Sequence, residues 1–489
     1  MNSKKRSTGH SFTNTRIGKK APRSPIAAAV ASLFKRRAMF ERLEDRTMLS
    51  VAGDIDQTFG VAGLRTTNFA GNGNDEAYSV ALQSGGNYVV AGGTSGQTAF
   101  GLSRYSSAGT LLSSTEASGI GAPGQAQAVA VLPDGGIIAA GYSFALPSNF
   151  NFTLVKYTAA GAVDTSWGTS GIVVTPISNR ADEAFAIAVQ PTGPSSYKVI
   201  VAGGNFTSAT REAFALARYN SDGSLDSSFG TGGIVTTSVG ATGSGEIHAL
   251  AINGSTLYAG GQAQNAGGNY DFALARYSLA NGSLSSLTLT DFSSGSDDRA
   301  NAMGIDSSGN VYLGGVTGGA AGNFAAAKYN SAGVLDASFG SGGIVTTAFS
   351  SGLDAANGLA VQYNGKVLLS GYTTTASGES DLALVRLNSD GSLDSNFGTG
   401  GKVTTPVAPV GSHAQGNAVL VDNTKAIVVG SIDNGTNTAS PDDFLLARYQ
   451  LNNAPTLGNS TASLTDITQG QTNNPGTQIS VLANAAHLN

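Results

Sequence analysis

The sequence predicts an all-β fold: a seven-bladed β-propeller of four-stranded blades, with the last blade closed by the N-terminal strand. Three observations carry this prediction. An Arg/Lys–Tyr pair (once Arg–Leu) recurs at Arg104, Lys156, Arg218, Arg276, Lys328, Arg386 and Arg448, spaced 52 to 62 residues apart. A glycine closing an apolar run keeps step with it, at Gly92, Gly141, Gly203, Gly260, Gly314, Gly371 and Gly430. No segment of the repeated body shows helical periodicity, and several short strands per unit at a fixed repeat length are the signature of a propeller.

The first element is a basic head. Residues 1–50 hold 12 of the 27 Lys/Arg and three acids, so the head is strongly positive while the rest of the chain is strongly negative. A nucleic-acid-binding domain carries its positive charge on the folded body, so no nucleic-acid partner is expected. The apolar run Ile26–Phe34 is too short to span a bilayer, and no transmembrane segment is expected. Its length matches the apolar region of a secretory signal, although the following Lys35-Arg36-Arg37 is atypical for one. An export or targeting segment, mostly disordered, is the first reading and a basic arm the second. Phe40-Glu-Arg-Leu-Glu-Asp-Arg-Thr-Met-Leu-Ser50 resembles the LEPR-XLL type motif of planctomycete-type exported proteins, with Asp45 in place of the motif's proline. The resemblance implies an extracellular or cell-surface protein and says nothing about activity.

Residues 54–450 form the repeated body. In one unit, Ala184–Val189 alternates small and large residues at period two, as a half-buried strand does. Lys198–Gly203 is an apolar, β-branched strand and Glu212–Tyr219 alternates again. Asn220–Asp226 is rich in the Asp, Gly and Ser that make turns, and Gly233–Thr237 is a short fourth strand. The middle of the first strand is small in every unit (Ser79, Ala128, Ala186, Ala249, Ala302, Gly358, Ala418), which places it innermost, where seven sheets converge. The last unit lacks a fourth strand and the chain begins with one lacking a sheet, Gly63–Phe69. Pairing the two closes the ring and removes two open edges.

The run Ser221-Asp-Gly-Ser-Leu-Asp-Ser-Ser-Phe-Gly-Thr-Gly-Gly-Ile-Val-Thr-Thr237 resembles the delta-60 repeat family, and its turn recurs around Asp56, Asp164, Asp226, Asp336 and Asp394. That resemblance implies a propeller-like repeat in exported or surface bacterial proteins and brings no catalytic motif with it. Residues 451–489 lose the repeat. They resemble a linker and the first strand of a cadherin-like adhesion domain, and are expected to be disordered because so short a tail rarely folds alone.

Candidate chemistry is sparse. Cysteine is absent, which excludes disulfides, thiolate metal sites and cysteine nucleophiles. Of four histidines only His248 and His413 lie in the repeats, with no triad or paired-ligand spacing around them. The Asp-Gly-Ser-Leu-Asp turns lack the ligand ladder of a calcium loop, and Gly71–Asp75 matches a calcium nonapeptide only once. No cofactor is expected and no metal is assigned. The Arg/Lys series shares a face with apolar neighbours, which predicts burial against the turn aspartates rather than a polyanion channel. Trp167 fills the slot of Phe59, Phe229, Phe339 and Phe397 and reads as core. The remaining candidates are acids in the loops before the innermost strands: Asp75, Glu76, Asp182, Glu183, Glu246, Asp297, Asp298 and Asp354. They form either a solvated negative rim or a ligand-binding one.

The expected function is a non-catalytic binding or structural module of an exported, surface-associated protein. Its ligand, a cell-surface, matrix or polysaccharide component, would meet the face formed by the variable loops. A polysaccharide-active enzyme with paired carboxylates and an adhesion or filament spacer are the alternatives. Oligomeric state is not assigned.

Overall fold

A computed structural model of the chain describes residues 51–452, apart from short loop stretches at 70–72, 95, 97, 146–148, 209–210, 241–242, 294, 319–321, 351, 407–411 and 434–441. The basic head with its LEPR-XLL-like motif, and the tail from residue 453 onward, lie outside the described residues. Among the described residues, 28 strands form seven four-stranded antiparallel sheets and no helix is long and apolar enough to cross a membrane. Six blades are continuous in sequence, at 76–117, 124–175, 182–237, 245–290, 299–347 and 354–405. We number them 1 to 6.

Blade 7 is the hybrid that the sequence predicts. Ala414–Asp422, Lys425–Ile432 and Asp443–Gln450 are completed by Leu64–Thr67, which pairs with the last of them in the register Leu64↔Ala447 through Thr67↔Phe444. The innermost strands, Glu76–Gln83, Gly124–Val131, Asp182–Pro191, Gly245–Asn253, Arg299–Ile305, Asp354–Val361 and Ala414–Asp422, contact one another round the axis. Their small middle residues permit that approach.

The hydrophobic core is divided into seven clusters, one in each seam between neighbouring blades. Two polar devices repeat in these seams. The first is the buried cation of the third strand. Arg218 meets Asp226 at 2.6 Å, Arg386 meets Asp394 at 2.6 Å and Lys328 meets Asp336 at 2.9 Å. In blade 7 the partner comes from the other end of the chain: Arg448 and Lys425 reach Asp56 at 2.9 and 3.0 Å. Each arginine also lies over the turn phenylalanine, Arg218 at 4.4 Å from the Phe229 ring centre and Arg448 at 4.8 Å from that of Phe59. Blades 1 and 4, whose turn motif is degenerate, carry longer outer strands, Leu111–Ala117 and Leu284–Thr290. Lacking the turn aspartate, Arg104 bonds Gln83 instead, at 3.1 and 2.8 Å.

The second device is a tyrosine–threonine bond across the seam. A tyrosine follows six of the seven cations (Leu387 stands in blade 6), and five of the six bond the last threonine of the preceding blade's outer strand: Tyr105 to Thr67 (2.8 Å), Tyr219 to Thr175 (2.9 Å), Tyr277 to Thr237 (3.1 Å), Tyr329 to Thr290 (2.7 Å) and Tyr449 to Thr405 (2.9 Å). Blade 1 ends its outer strand in Ala117 rather than threonine, and the buried Tyr157 hydroxyl facing it has no partner among the described residues.

Candidate functional site at the channel mouth

The site starts from an irregularity shared by all seven innermost strands. In blade 3, Ala184 pairs with Gly203 and Ala186 with Ala202, so Phe185 is left out of the ladder as a β-bulge. The same slip leaves out Tyr78, Gln127, His248, Asn301, Asn357 and Asn417 in the other blades. A bulge re-aims a side chain, and these seven residues together line a cavity of about 210 Å³ on the axis. The bulge also accounts for the glycine series. A Cβ on Gly203 would fall 1.9 Å from the Glu183 carbonyl oxygen. In blades 4 and 5 the residues so placed are Gly261 and Gly315, each one position after the glycine that the sequence pattern singles out.

The ring has two halves. In blades 5 to 7 the bulged residues are asparagines spent on neighbouring backbone. Asn301 donates to the Ala356 carbonyl (2.9 Å), Asn357 to Gly416 (3.1 Å) and Asn417 to Ala77 (3.0 Å). In blades 1, 3 and 4 they are Tyr78, Phe185 and His248. The Phe185 and His248 rings stack with centres 5.0 Å apart, and Tyr142 stands edge-on at 6.1 Å from Phe185.

Acids gather on the aromatic half. Glu76 accepts the Tyr78 hydroxyl. Glu246 accepts from the Gln262 amide (3.3 Å), lies 3.1 Å from His248 Nε2, and shares a hydrogen bond with the buried Glu212. Burial pushes the Glu212 carboxyl far up, and its bond to Glu246 and the nearby charges of Glu246 and Glu183 push it further. Burial would also raise Glu246, but its bonds with His248 and Glu212 and the charges of His248 and Arg299 outweigh that and hold it low. Glu183 is raised by burial and by the charge of Glu246. Burial, with Glu183 and Glu76 nearby, moves the Tyr142 hydroxyl up to about 12. Asp442 is pushed up to about 6 by burial and by Glu76, Asp433 and Asp443.

The eight acids singled out in the sequence divide into three groups. Asp75, Asp182, Asp298 and Asp354 are fully buried and turn inward. Asp182 accepts from the backbone N–H groups of Ile177 (2.8 Å) and Ser178 (2.9 Å), Asp75 from Phe69 (2.7 Å), Asp298 from Phe292 (2.8 Å) and Asp354 from Phe349 (2.6 Å). They clamp the loop that enters each innermost strand. Glu76, Glu183 and Glu246 instead sit one residue later, on the opposite face of the strand, at the mouth. Asp297 lines a second cavity of about 470 Å³ between blades 5 and 6, with Arg299, Asn301, Asn357 and Tyr372. It accepts from the Tyr270 N–H (3.0 Å) and pairs with Arg299 (3.3 Å).

Tyr78, Tyr142, Phe185, His248, Glu212, Arg299 and Asp442 were not singled out as binding residues by sequence. The readable trace of the ring was the bulged position itself, which varies in size and chemistry between two constrained neighbours. Among the described residues, Asp271, Asp291 and Asp298 bring carboxylate oxygens within 4.8 Å of one another, a donor set suited to a hard divalent cation. Asp298, however, already gives both oxygens to Phe292 N–H and the Thr317 hydroxyl.

A family model described as a domain of unknown function (DUF5122) beta-propeller matches residues 199–229 and 362–397. No curated protein matches the chain. Similar solved structures include a protein of unknown function from Dyadobacter fermentans (11% identity, 80% of this chain and 100% of that one, TM-score 0.40). The polysaccharide lyase Uly1 is also among them (12% identity, 83% and 98%, TM-score 0.38), as is BamB from Moraxella catarrhalis (12% identity, 76% and 85%, TM-score 0.32). With the family match and its seven four-stranded sheets, the chain is a propeller-like repeat protein.

Proposed function

We propose that this protein is a non-catalytic binding module of an exported or surface-associated bacterial protein, and that it takes its ligand at the channel mouth on the variable-loop face. The observation that carries the reading is the split ring: half of the mouth is tied up in asparagine–backbone bonds, while the other half presents aromatic rings and carboxylates. Such a concave patch of rings with a few convergent polar groups is how rigid scaffolds recognise ligands.

The paired-carboxylate alternative makes a geometric demand of the same acids. Glycoside hydrolysis needs two carboxyls about 5–9.5 Å apart to hold the glycosidic oxygen or a water between them. Glu212 and Glu246 lie too close together for this, and the turnover arm of the test below decides for the other acids of the mouth. The test is a glycan and cell-wall binding screen of the full chain beside the Tyr142→Ala/Phe185→Ala variant. Binding that is lost in the variant, without release of product from any bound glycan, is the expected result. Binding that survives the variant, or turnover of the glycan, refutes the reading.

A further inference from the structure

Resting on that binding role, we propose that the cavity of about 470 Å³ between blades 5 and 6 is a subsite for one uncharged sugar unit of a glycan. The first ground is how the cavity arises. Two positions before the bulge, six blades carry a long polar side chain: Glu76, Gln125, Glu183, Glu246, Arg299 and Gln415. Blade 6 carries Ala355 there, and Ala355 lines the cavity. The neighbouring strand shows the consequence. In blades 2 and 6 the cross-strand partner of this position is a tyrosine, Tyr142 opposite Gln125 and Tyr372 opposite Ala355. Gln125 donates its amide N–H to the Tyr142 hydroxyl. The alanine side chain has nothing to donate. The hydroxyl of Tyr372, a partly exposed residue, therefore has no partner among the described residues.

The second ground is the facing wall, in blade 5. Asn301 donates its amide to the Ala356 carbonyl (2.9 Å) and the Asn357 side-chain oxygen (3.2 Å), while its own side-chain oxygen accepts nothing among the described residues. Arg299 bonds Asp297 through Nη2 alone (3.3 Å), so its Nε and Nη1 are unbonded among those residues. These groups are within reach of a ligand: the Arg299 side chain is 50% exposed and Asn301 is partly exposed. The cavity thus offers donors from Arg299, an acceptor from Asn301 and a hydroxyl from Tyr372 that serves as either. Val316, Leu353 and Ala355 supply apolar surface between them.

An uncharged polyol suits this set. Each sugar hydroxyl donates and accepts at once, so neighbouring hydroxyls of one rigid ring meet the guanidinium and the amide oxygen together while the C–H face lies on the apolar surface. A peptide brings one N–H and one C=O per residue and leaves part of the set unmet. Charge argues for neutrality. Arg299 and Asp297 offset each other inside the cavity, the acidic mouth beside them repels an anion, and a cation is drawn to that mouth instead. The volume is that of a small-ligand pocket. Asn301 and Asn357 line both this cavity and the axial one, so a glycan seated on the aromatic half continues into it.

The experiment measures binding of the full chain to neutral β-glucan, mannan and galactan hexamers, to galacturonate and glucosamine hexamers, and to an uncharged Gly/Ser/Asn hexapeptide. The expected result is that at least one neutral hexamer binds about tenfold or more tighter than the charged hexamers and the peptide. Ala355→Gln, which copies blade 2 and fills the space, should weaken that binding about tenfold or more, and Tyr372→Phe about three- to tenfold. Tyr372→Phe removes a hydroxyl that bonds nothing in the fold, so its Tm should equal that of wild type, and it decides the matter if Ala355→Gln does not fold. Binding that Tyr142→Ala/Phe185→Ala abolishes but Ala355→Gln and Tyr372→Phe leave unmoved overturns the subsite and spares the binding role. A charged hexamer or the peptide binding as tightly as the best neutral hexamer overturns the uncharged-sugar assignment. No binding to any glycan, here or in the wider screen, removes the binding role and the subsite with it.

Discussion

Five of the seven seams carry the tyrosine–threonine bond, and in one of the other two the tyrosine is present without its threonine, which makes the bond's energy measurable. Tyr157 is fully buried, and the position that should supply its partner is Ala117. Ala117 pairs with Phe100 as Thr237 pairs with Phe214 and Thr175 with Phe152, so a threonine there would stand where five intact seams place theirs. The intact bonds measure 2.7–3.1 Å. Ala117→Thr adds a hydroxyl and a methyl to a buried site. A satisfied hydrogen bond is worth about 0.5–1.5 kcal/mol net, and a buried orphan hydroxyl costs about 1–3 kcal/mol. The variant should therefore be about 1 kcal/mol more stable. Tyr157→Phe, which deletes the orphan hydroxyl, should be neutral or stabilising. Tyr219→Phe, which breaks an intact bond and strands Thr175, should cost about 1 kcal/mol. Urea denaturation of the full chain reads all three. If Ala117→Thr is destabilising, or Tyr157→Phe costs as much as Tyr219→Phe, the partnerless hydroxyl is not what limits that seam.

Two further outcomes follow from the closure and the bulges. Asp56 is 2% exposed, and although burial raises it, bonds from Thr58 and Lys425 and the charge of Arg448 lower it from 3.8 to about 2. A depressed folded value means stability that is full above about pH 4 and is lost as pH falls towards 2. Asp56→Asn should thus cost about 2–4 kcal/mol at pH 7 in urea unfolding, with the gap to wild type closing near pH 2; a gap that is absent or independent of pH contradicts the closing role. Gly203→Ala places a Cβ 1.9 Å from a backbone oxygen that no rotamer change can relieve, and should cost about 3 kcal/mol; a melting temperature equal to wild type would mean the bulge is not held as described.

The blade number, the strand order and the closure were legible because each rests on a repeated spacing. Six Arg/Lys–Tyr pairs and one Arg–Leu pair count the blades, and the missing fourth strand after Tyr449 identifies Leu64–Thr67 as its replacement. The turn aspartate was likewise legible as the partner of the buried cation. The site was less so. Sequence placed Asp182 and Glu183 in one rim, since adjacent acids look alike in a string. In the strand they point to opposite faces, and Asp182 goes to loop N–H groups while Glu183 goes to the mouth. Glu212 was hidden because it reaches the site from the third strand of a neighbouring blade. His248 was set aside for want of a triad, yet its role is to stack on Phe185 and steady Glu246.

The seven bulges separate two demands that repeat proteins usually place on the same positions. A residue inside the ladder must suit its cross-strand partners and the crowded axis, which is why the neighbours of Phe185 are Ala184 and Ala186. The bulged residue is free of the ladder and faces the channel, where the three asparagines also bond the next blade's backbone. Exchanging tyrosine for asparagine there alters what the opening offers while leaving the ladder pairing of the blade unchanged. The ring thus behaves as a dial with seven digits, and the sequence Tyr78, Gln127, Phe185, His248, Asn301, Asn357, Asn417 is the combination this chain carries.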